Sequence, residues 1–224
     1  MYGTESKITF LSGTVESINE TNSSVDIAQV NTPIDPNLFY GTGKGSRFEV
    51  NNPSYTARIG SLSFARFITD NEVYIHSGSF LFCSKYKNYH LKISSRKSSA
   101  TFDGSGTFIV DCLENGGFKF IPLECEATLS TDKHPTKKLV EGQLLLVVGS
   151  PSYLGNAYDI DIMLLLQSSR LINNFPSPLP TFDQIGLAIY VQNLKLKGKY
   201  DALIGDAKTE KSLQIWGFGE KPKP

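Results

Sequence analysis

Residues 39–50 read FYGTGKGSRFEV, and the GTGKGS at their centre has the composition of a phosphate cradle. Such a cradle turns successive backbone N–H groups into one concavity at a helix mouth, with a lysine reaching the outer phosphates. The spacing that achieves this is G-x-x-x-x-G-K-[ST]. Here Lys44 follows Gly43, but Gly45 stands where Ser or Thr belongs, and Leu38 where the first glycine belongs. The dinucleotide pattern G-x-G-x-x-G fails as well, because Gly41, Gly43 and Gly45 alternate and Ser46 takes the last place. Arg47-Phe48-Glu49-Val50 then alternates polar and apolar, the period of a strand. The loop reads as a turn between strands, and no nucleotide is expected.

The other chemistry-bearing residues form no constellation with catalytic spacing. No G-x-S-x-G elbow occurs. His76, His90 and His134 each lack a neighbouring acid and nucleophile, and read as surface or strand-face histidines. Asp26 with Asp35, or Asp159 with Asp161, could pair for sugar or metal chemistry. Asp159 and Asp161 fall at an expected helix start, where the helix dipole accounts for them more simply. Lys85, Lys87, Lys92, Arg96 and Lys97 interleave with Tyr86 and Tyr89, a pattern that can hold nucleic acid or polysaccharide. Acidic residues elsewhere cancel that charge, so the plainer reading is a solvated strand pair. Cys83, Cys112 and Cys125 include no C-x-x-C, and with three scattered histidines they form no zinc pattern. Cys112 and Cys125 flank Asn115-Gly116-Gly117, which leaves two readings: a disulfide across a hairpin, or three small buried hydrophobes. No catalytic, cofactor-binding or metal-binding residue is expected, and the chain is not expected to be an enzyme.

The elements that must carry these residues are mainly β. The chain has 224 residues, with 14 Phe, 10 Tyr and 19 Gly against two Met and one Trp. Lys plus Arg and Asp plus Glu both number 22, so no net charge marks a nucleic-acid or anionic-membrane partner. Zero net charge also leaves little repulsion against self-association. The apolar runs 144–148 and 162–166 fall far short of the ~20 residues a bilayer span needs. The opening MYGTESK lacks the apolar region of a secretory signal, so the protein is cytoplasmic or is numbered after a removed leader.

Apolar alternations recur at 8–15, 48–50, 55–59, 62–68, 73–75, 80–82, 90–93, 108–113, 118–123, 127–129 and 144–148. Turn signals separate them at 22–24, 41–45, 51–53, 70–71, 103–106, 115–117 and 141–142. Short strands at roughly ten-residue intervals predict a sandwich, barrel or solenoid and not a βαβ sheet. The clearest hairpin is 108–123, turning on Glu114-Asn115-Gly116-Gly117. Two segments break the β pattern. Residues 159–172 (DIDIMLLLQSSRLI) are rich in Leu and Ile and end in Asn173-Asn174 and FPSPLP, the stop signal of a helix. Residues 181–193 (TFDQIGLAIYVQN) open on a candidate Thr cap and set Phe182, Ile185 and Ala188 on one face, which predicts a second helix. Beyond 195 only 202–204 and 213–216 carry apolar signals, ahead of a polar Lys/Pro tail.

The stretch 42–82, TGKGSRFEVNNPSYTARIGSLSFARFITDNEVYIHSGSFLF, resembles the FecR-like extracytoplasmic domain family. Its members show T-G-x-x-S-R, then R-x-G-x-x-S-x-F, then a strand ending G-S-[LF]-L-F. Arg58-Ile59-Gly60-Ser61-Leu62-Ser63-Phe64 and Gly78-Ser79-Phe80-Leu81-Phe82 match those positions. Downstream, Gly104-Ser105-Gly106-Thr107-Phe108 looks like the entry to the family's paired strands, and Glu141-Gly142-Gln143-Leu144 like its G-Q ending. Upstream, Leu11-Ser12-Gly13-Thr14-Val15 fits the opening element, and 173–180 is similar to a secreted branch in which a helix and a Leu-Pro segment follow. Cys125 departs from the pattern, standing where the family commonly has a glycine. The cytoplasmic segment and membrane helix of the sigma-regulator members have no counterpart in this sequence.

The resemblance implies a stack or roll of short strands over residues 7–149, a helical extension over 150–194 and an extended tail over 195–224. In it Gly41, Gly43, Gly45, Gly60, Gly78, Gly104, Gly106, Gly116, Gly117 and Gly142 are structural turn residues, and Lys44 is a solvated charge. It implies an exported protein with its leader removed, in the periplasm, at the cell surface or outside the cell. Three roles are compatible with it. The first is a structural, self-assembling module such as a filament subunit, with homo-oligomeric or other protein partners, exchanging a tail strand at Leu213, Ile215 and Trp216. The second is a periplasmic receiver of a receptor-derived signal. The third is a carbohydrate-binding module using Tyr74, Phe80, Tyr86 and Tyr89.

Overall fold

The computed structural model describes residues 5–133 and 136–196, together with the pairs 202–203 and 214–215. In chain order the strands open with β1 (Lys7–Ser12), β2 (Val15–Asn19), β3 (Ser24–Ile27), β4 (Phe39–Thr42), β5 (Arg47–Asn52) and β6 (Tyr55–Ile59). They continue with β7 (Phe64–Thr69), β8 (Glu72–Ser77), β9 (Ser79–Ser84), β10 (Tyr89–Ser94), β11 (Ser99–Cys112) and β12 (Phe118–Ser130). After β13 (Lys137–Lys138), β14 (Gln143–Val148) and β15 (Tyr153–Asp159) come α1 (Ile162–Ser168), α2 (Arg170–Asn173) and α3 (Phe182–Leu196), then β16 (Ala202–Leu203) and β17 (Gln214–Ile215).

The first fifteen strands form one curled, open sheet with the order β1-β5-β6-β9-β11-β10-β8-β7-β4-β2-β3. β12 branches from β11 and carries β13 and β14, and β15 pairs with β14. Pairing is antiparallel except between β8 and β10. At the far end β1 does not present a bare edge. Ile8 N–H donates to Thr32 O at 3.0 Å and Asn31 N–H to Ile8 O at 2.7 Å, so the loop after β3 covers it.

The curl encloses the main core. Alternation places Phe48, Val50, Ala57, Ile59, Phe67, Val73, Ile75, Leu91 and Ile93 on its inner face. At its centre the rings of Phe102, Phe108 and Phe120 stack, Phe102 to Phe108 at 4.8 Å and Phe108 to Phe120 at 4.5 Å between centroids. Each fully buried Phe contributes roughly 1.5–3 kcal/mol over an exposed one. Runs such as Phe80-Leu81-Phe82-Cys83 need two apolar faces. Phe80 and Phe82 enter the inner core, while Leu81 and Cys83 point outwards into a second one. There Ile109, Ile121, Leu123 and Leu144 meet Ile162, Leu165, Leu171, Leu179 and Ile185 of the C-terminal segment. On β7, β8 and β10 the second face carries Arg66, Tyr74, His76, His90 and Lys92, and no helix covers it.

The mainly-β architecture with C-terminal helices agrees with the sequence reading, but local departures are instructive. β3 and β4 overlap segments read as turns, and β15 lies in a stretch where no strand was expected. Gly41 sits inside β4, paired with Glu16 and Phe64, and is not a turn residue. Residues 103–106, read as a turn, lie within the fourteen-residue β11. Gly106 (φ +136°) faces Cys125, and an added Cβ would meet Glu124 O at 2.2 Å. The glycine is there because the partner backbone comes close, not because the chain reverses. Gly45 (φ +77°), by contrast, stands in an open turn, where an added Cβ would meet no atom within 4 Å. The expected helix 159–172 begins late, because β15 runs on to Asp159 and Asp161 caps α1, accepting from Leu164 N–H at 3.0 Å.

The cysteine expectation is corrected. Cys112 pairs with Phe118, and Cys125 pairs with Gly106, six residues back along β11 from Cys112. That offset is about 20 Å at ~3.3 Å per residue, far beyond disulfide reach. All three thiols are free: Cys83 and Cys125 are buried, as the second reading had it, and Cys112 is half-buried. Of the expected tail strand, Leu213 and Trp216 lie outside the described residues, and Ile215 pairs with Ala202 of the same chain in a separate two-stranded sheet.

The two glycines separate in a stability measurement. Gly45→Ala should cost about 1–2 kcal/mol, the price of a left-handed side-chain residue. Gly106→Ala should cost more than about 3 kcal/mol, because backbone must also move. Urea unfolding of both variants checks this, and equal costs would refute the close-approach account.

Candidate functional site

The glycine loop that opened the sequence analysis spends the amides of Gly43, Gly45 and Ser46 inside the protein and does not turn them towards a phosphate. Gly43 N–H donates to Thr14 O at 3.0 Å, Gly45 N–H to Ser61 Oγ at 2.7 Å and Ser46 N–H to Gly43 O at 3.1 Å. Lys44 is exposed, as expected. The functional residue of the loop is the one after it. Arg47 donates from Nε to Asn174 O at 2.6 Å and stands 6.0 Å from the centre of the Phe175 ring.

Arg58 completes that arrangement. It is 0% exposed and donates to Leu171 O at 3.1 Å, Ile172 O at 3.3 Å and Ser177 O, with its guanidinium 4.4 Å over Phe175. Its Nε meets Glu49 Oε2 at 2.9 Å, and Glu49 Oε1 accepts from Thr9 Oγ1 at 3.0 Å. Burial pulls the Arg58 pKa down, while the Glu49 hydrogen bond and charge oppose it. Two of these carbonyls, Leu171 O and Ile172 O, are ones that the short α2 leaves unsatisfied at its C-terminal end, and Ser177 O belongs to the loop that follows. Strand parity alone assigns Arg58 to the outer face of β6, and an outer-face Arg reads as solvated until a covering segment is known.

The two sequence motifs of 58–64 and 78–82 interlock beside it. Gly60 N–H donates to Ser79 O at 2.9 Å, and Ser79 N–H donates to Ser63 Oγ at 3.0 Å. A Cβ on Gly60 would meet Ser79 Oγ at 2.4 Å, and one on Gly78 would meet Ser63 Oγ at 2.1 Å. The motifs therefore fix strand packing and form no ligand site. Buried polar pairs likewise pin the helices. Thr181 Oγ1 bonds Thr107 Oγ1 and lies 3.7 Å from Cys83 Sγ. Gln192 takes Ile162 N–H at 2.9 Å and gives Ile160 O a hydrogen bond at 2.5 Å.

Two features remain unabsorbed by packing. The first is the edge strand β3, which pairs with β2 alone. Val25 is 55% exposed and Ile27 64%, beside Val30, which is also exposed. The same outer face continues into Phe39 and Phe64, stacked at 4.7 Å, with Arg66 5.6 Å over Phe39. Between Lys7 and Lys44 the chain holds Glu16, Glu20, Asp26 and Asp35 and no Lys, Arg or His. That acidic run, masked by the zero net charge of the whole chain, is the signal that sequence reasoning passed over.

The second feature is an open cleft of about 530 Å³, where the residues before β1 meet the loop 34–36 and the end of β7. Its floor is a polar network. Ser6 Oγ bonds Tyr55 OH at 2.8 Å and donates to Asp70 Oδ1 at 2.8 Å, and Asn52 Nδ2 donates to Ser6 Oγ at 3.0 Å. Tyr89 OH donates to Asp70 O. Burial pushes Tyr55 up to about 12, partly offset by the Ser6 hydrogen bond, and pushes Tyr89 up as well.

The remaining sequence candidates are dispersed. Lys92 pairs with Glu72 at 2.8 Å, Lys85 donates to Asn52 O at 2.8 Å, and Arg96 holds Glu114 O at 2.7 Å. Their charges are spent locally, as a solvated strand pair implies. The aromatic platform for carbohydrate does not form: Phe80 and Tyr89 are buried and Tyr74 is half-buried, leaving Tyr86 at 58% exposure. Asp159 accepts from Gln143 at 3.0 Å and does not pair with Asp161. His90 meets Asp103 at 2.5 Å on an exposed strand face, His76 Nδ1 lies 3.1 Å from Tyr74 OH, and His134 lies outside the described residues.

No family model matches the chain, and no curated protein does. Two solved crystal structures of a candidate anti-sigma factor from Parabacteroides distasonis, at 1.65 and 2.50 Å resolution, are similar to it. Each has a TM-score of 0.43, with 12% and 13% identity, and the likeness covers 58% of this chain and 64% of those chains. A likeness of that size carries no functional argument.

Two predictions come from the buried groups. Arg58→Met leaves Glu49 buried without its partner and should cost about 3–5 kcal/mol in urea unfolding. Limited proteolysis should then cut first between residues 160 and 181, and a variant that resists cleavage as well as the parent would contradict the clamp. Burial pushes the Cys112 thiol up to about 12, and raises Cys83 and Cys125 too. Thiols raised in the folded state stabilise it fully below their unfolded pKa, and that contribution is lost as pH rises through the folded value. Stability should therefore decline from about pH 8.5 towards about 12. At pH 8 a thiol reagent should label the native chain at least tenfold more slowly than the unfolded one.

Proposed function

We propose that this chain is a non-catalytic protein-interaction module of the FecR-like extracytoplasmic type, which accepts a basic extended segment of another protein on the free edge of β3. The observation that carries the reading is the combination at that edge. Among the described residues no strand lies beyond β3, Val25 and Ile27 stand exposed, and the charged residues from 8 to 43 are all acidic. An added strand satisfies edge N–H and C=O groups, and alternate side chains then supply specificity. An acidic edge favours Lys or Arg in the incoming segment through charge complementarity.

The non-catalytic part is supported by what the reactive side chains do. Buried hydroxyls and thiols hold helices to the sheet, and His76 and His90 have no nucleophile beside them. The extracytoplasmic part rests on the resemblance of residues 42–82. No helix among the described residues is long and apolar enough to cross a membrane. A periplasmic receiver and a self-assembling subunit would use the same edge, and differ in which chain supplies the strand.

Panning a random peptide library on the whole chain, then titrating the strongest peptide by fluorescence anisotropy, tests the reading. The peptide should alternate Lys or Arg with apolar residues and lose at least tenfold in affinity on Ile27→Pro. Leu187→Asp, on the exposed side of α3, should leave it unchanged. Affinity untouched by Ile27→Pro but abolished by Leu187→Asp would move docking to the helix and overturn the proposal.

A further inference from the structure

We infer that the cleft between the start of β1 and the end of β7 is a binding site for an ammonium or guanidinium group carried on an apolar stem. The inference is independent of strand addition at β3.

Three properties of the cleft select that chemistry. Among the described residues its charged lining is of one sign: Glu5 and Asp70 border it and none of the described lining residues is basic. No salt bridge among the described residues reaches Asp70, so its carboxylate has no internal cation. The carboxylate is also held in place before any ligand arrives. Asp70 Oδ1 accepts from Ser6 Oγ at 2.8 Å and from Asn52 Nδ2 at 3.3 Å, while its backbone carbonyl takes the Tyr89 hydroxyl. Those contacts occupy Oδ1 and leave Oδ2 for an incoming N–H donor. An acceptor fixed in this way loses little freedom on binding, which favours affinity.

The third property is the wall. Ile34, Pro36 and Phe67 add apolar lining to the cleft that Asp70 borders, and Tyr55 lines it too, with its hydroxyl already bonded to Ser6. Aromatic faces near a carboxylate attract a cation, and an aliphatic side gives the stem of that cation a surface to cover. A neutral apolar ligand would leave Asp70 and Glu5 without compensation, and an anion would be repelled by both. Pockets with an apolar wall and a few convergent polar groups recognise small groups in this manner. Lysine and arginine side chains and free alkylamines share the required chemistry.

The test uses the full chain, labelled with ¹⁵N, and four probes of one stem length: n-butylammonium, n-butylguanidinium, n-butanol and butyrate. The two cations should shift the amides of Ser6, Thr69 and Asp70 in a saturable way, and the other two should not. Asp70→Asn should weaken cation binding at least tenfold, and Glu5→Gln by a smaller factor. Because Asp70 also orders the floor, Thr69→Arg serves as a second variant: its own guanidinium should fill the cleft and abolish probe binding while the circular-dichroism spectrum stays unchanged. Putrescine binding more tightly than N-acetyl-Ala-Lys-Ala-amide would point to a free amine as the source, and the reverse to a polypeptide side chain. Binding of n-butanol as tight as that of the cations, or an intact fold with undiminished cation binding in both Asp70→Asn and Thr69→Arg, would overturn the inference.

Discussion

A buried arginine sets the terms for this structure. Arg58 has no access to water, so its charge must be compensated inside the protein or the fold does not persist. Glu49 supplies the countercharge and three main-chain carbonyls from 171–177 supply the remaining acceptors. The dependence runs both ways. Two of the carbonyls, those of Leu171 and Ile172, belong to a four-residue helix too short to satisfy itself, and β5 and β6 present arginines to its C-terminal end. Once that segment is seated, Leu171 and Leu179 can close over Leu81, Ile109, Ile121 and Leu123. The second core is thus a consequence of a polar contact, and its apolar strands would otherwise face solvent.

The sheet is consequently two-sided in an uneven way. Where β9, β11, β12 and β14 cross its middle, both faces are buried and the strands read as continuous apolar runs. Where β2, β3, β4, β7 and β8 continue the curl, only the inner face is buried, and the outer one keeps aromatic and charged side chains half in water. The covered half carries the buried ion pairs, Arg58 with Glu49 and Lys119 with Asp111 at 3.0 Å. The uncovered half carries the acidic run and the free edge. The proposed recognition edge and the stabilising contacts are therefore segregated along one sheet.

Strand periodicity was readable wherever one face was apolar, as at 55–59 or 73–75, because alternation follows directly from the pleat. It failed where glycine served packing. Gly104 and Gly106 in β11 look like punctuation in a sequence, yet they sit in a strand where the partner backbone lies close, and Gly41 sits inside β4 with only ordinary contacts around an added Cβ. The paired cysteines across a hairpin were a reasonable inference from spacing, but register decides such pairs, and Cys112 faces Phe118. The site features were less legible still. Arg58 and Glu49 alternate like solvated residues, and only contacts more than a hundred residues away in sequence reveal their role. The cleft gathers Ser6, Tyr55 and Asp70 from three separate strand ends, a convergence that spacing cannot express. The acidic run from 8 to 43 was visible in the letters but averaged away in the net charge.

The hairpin of β11 and β12 belongs to both cores at once, lending Phe108 and Phe120 to one and Ile109 and Ile121 to the other. It is also a local pairing, closed over a short turn, whereas β1 must find β5 across some forty residues and α2 must find β6 across more than a hundred. Loop closure over such separations is entropically expensive before any contact rewards it. Loop-closure entropy therefore favours assembly that starts at the hairpin and spreads outwards through β9 and β10, with the helices expected to dock last. A topology so rich in distant pairings places this chain among slow folders, in the millisecond-to-second range and not the microsecond one.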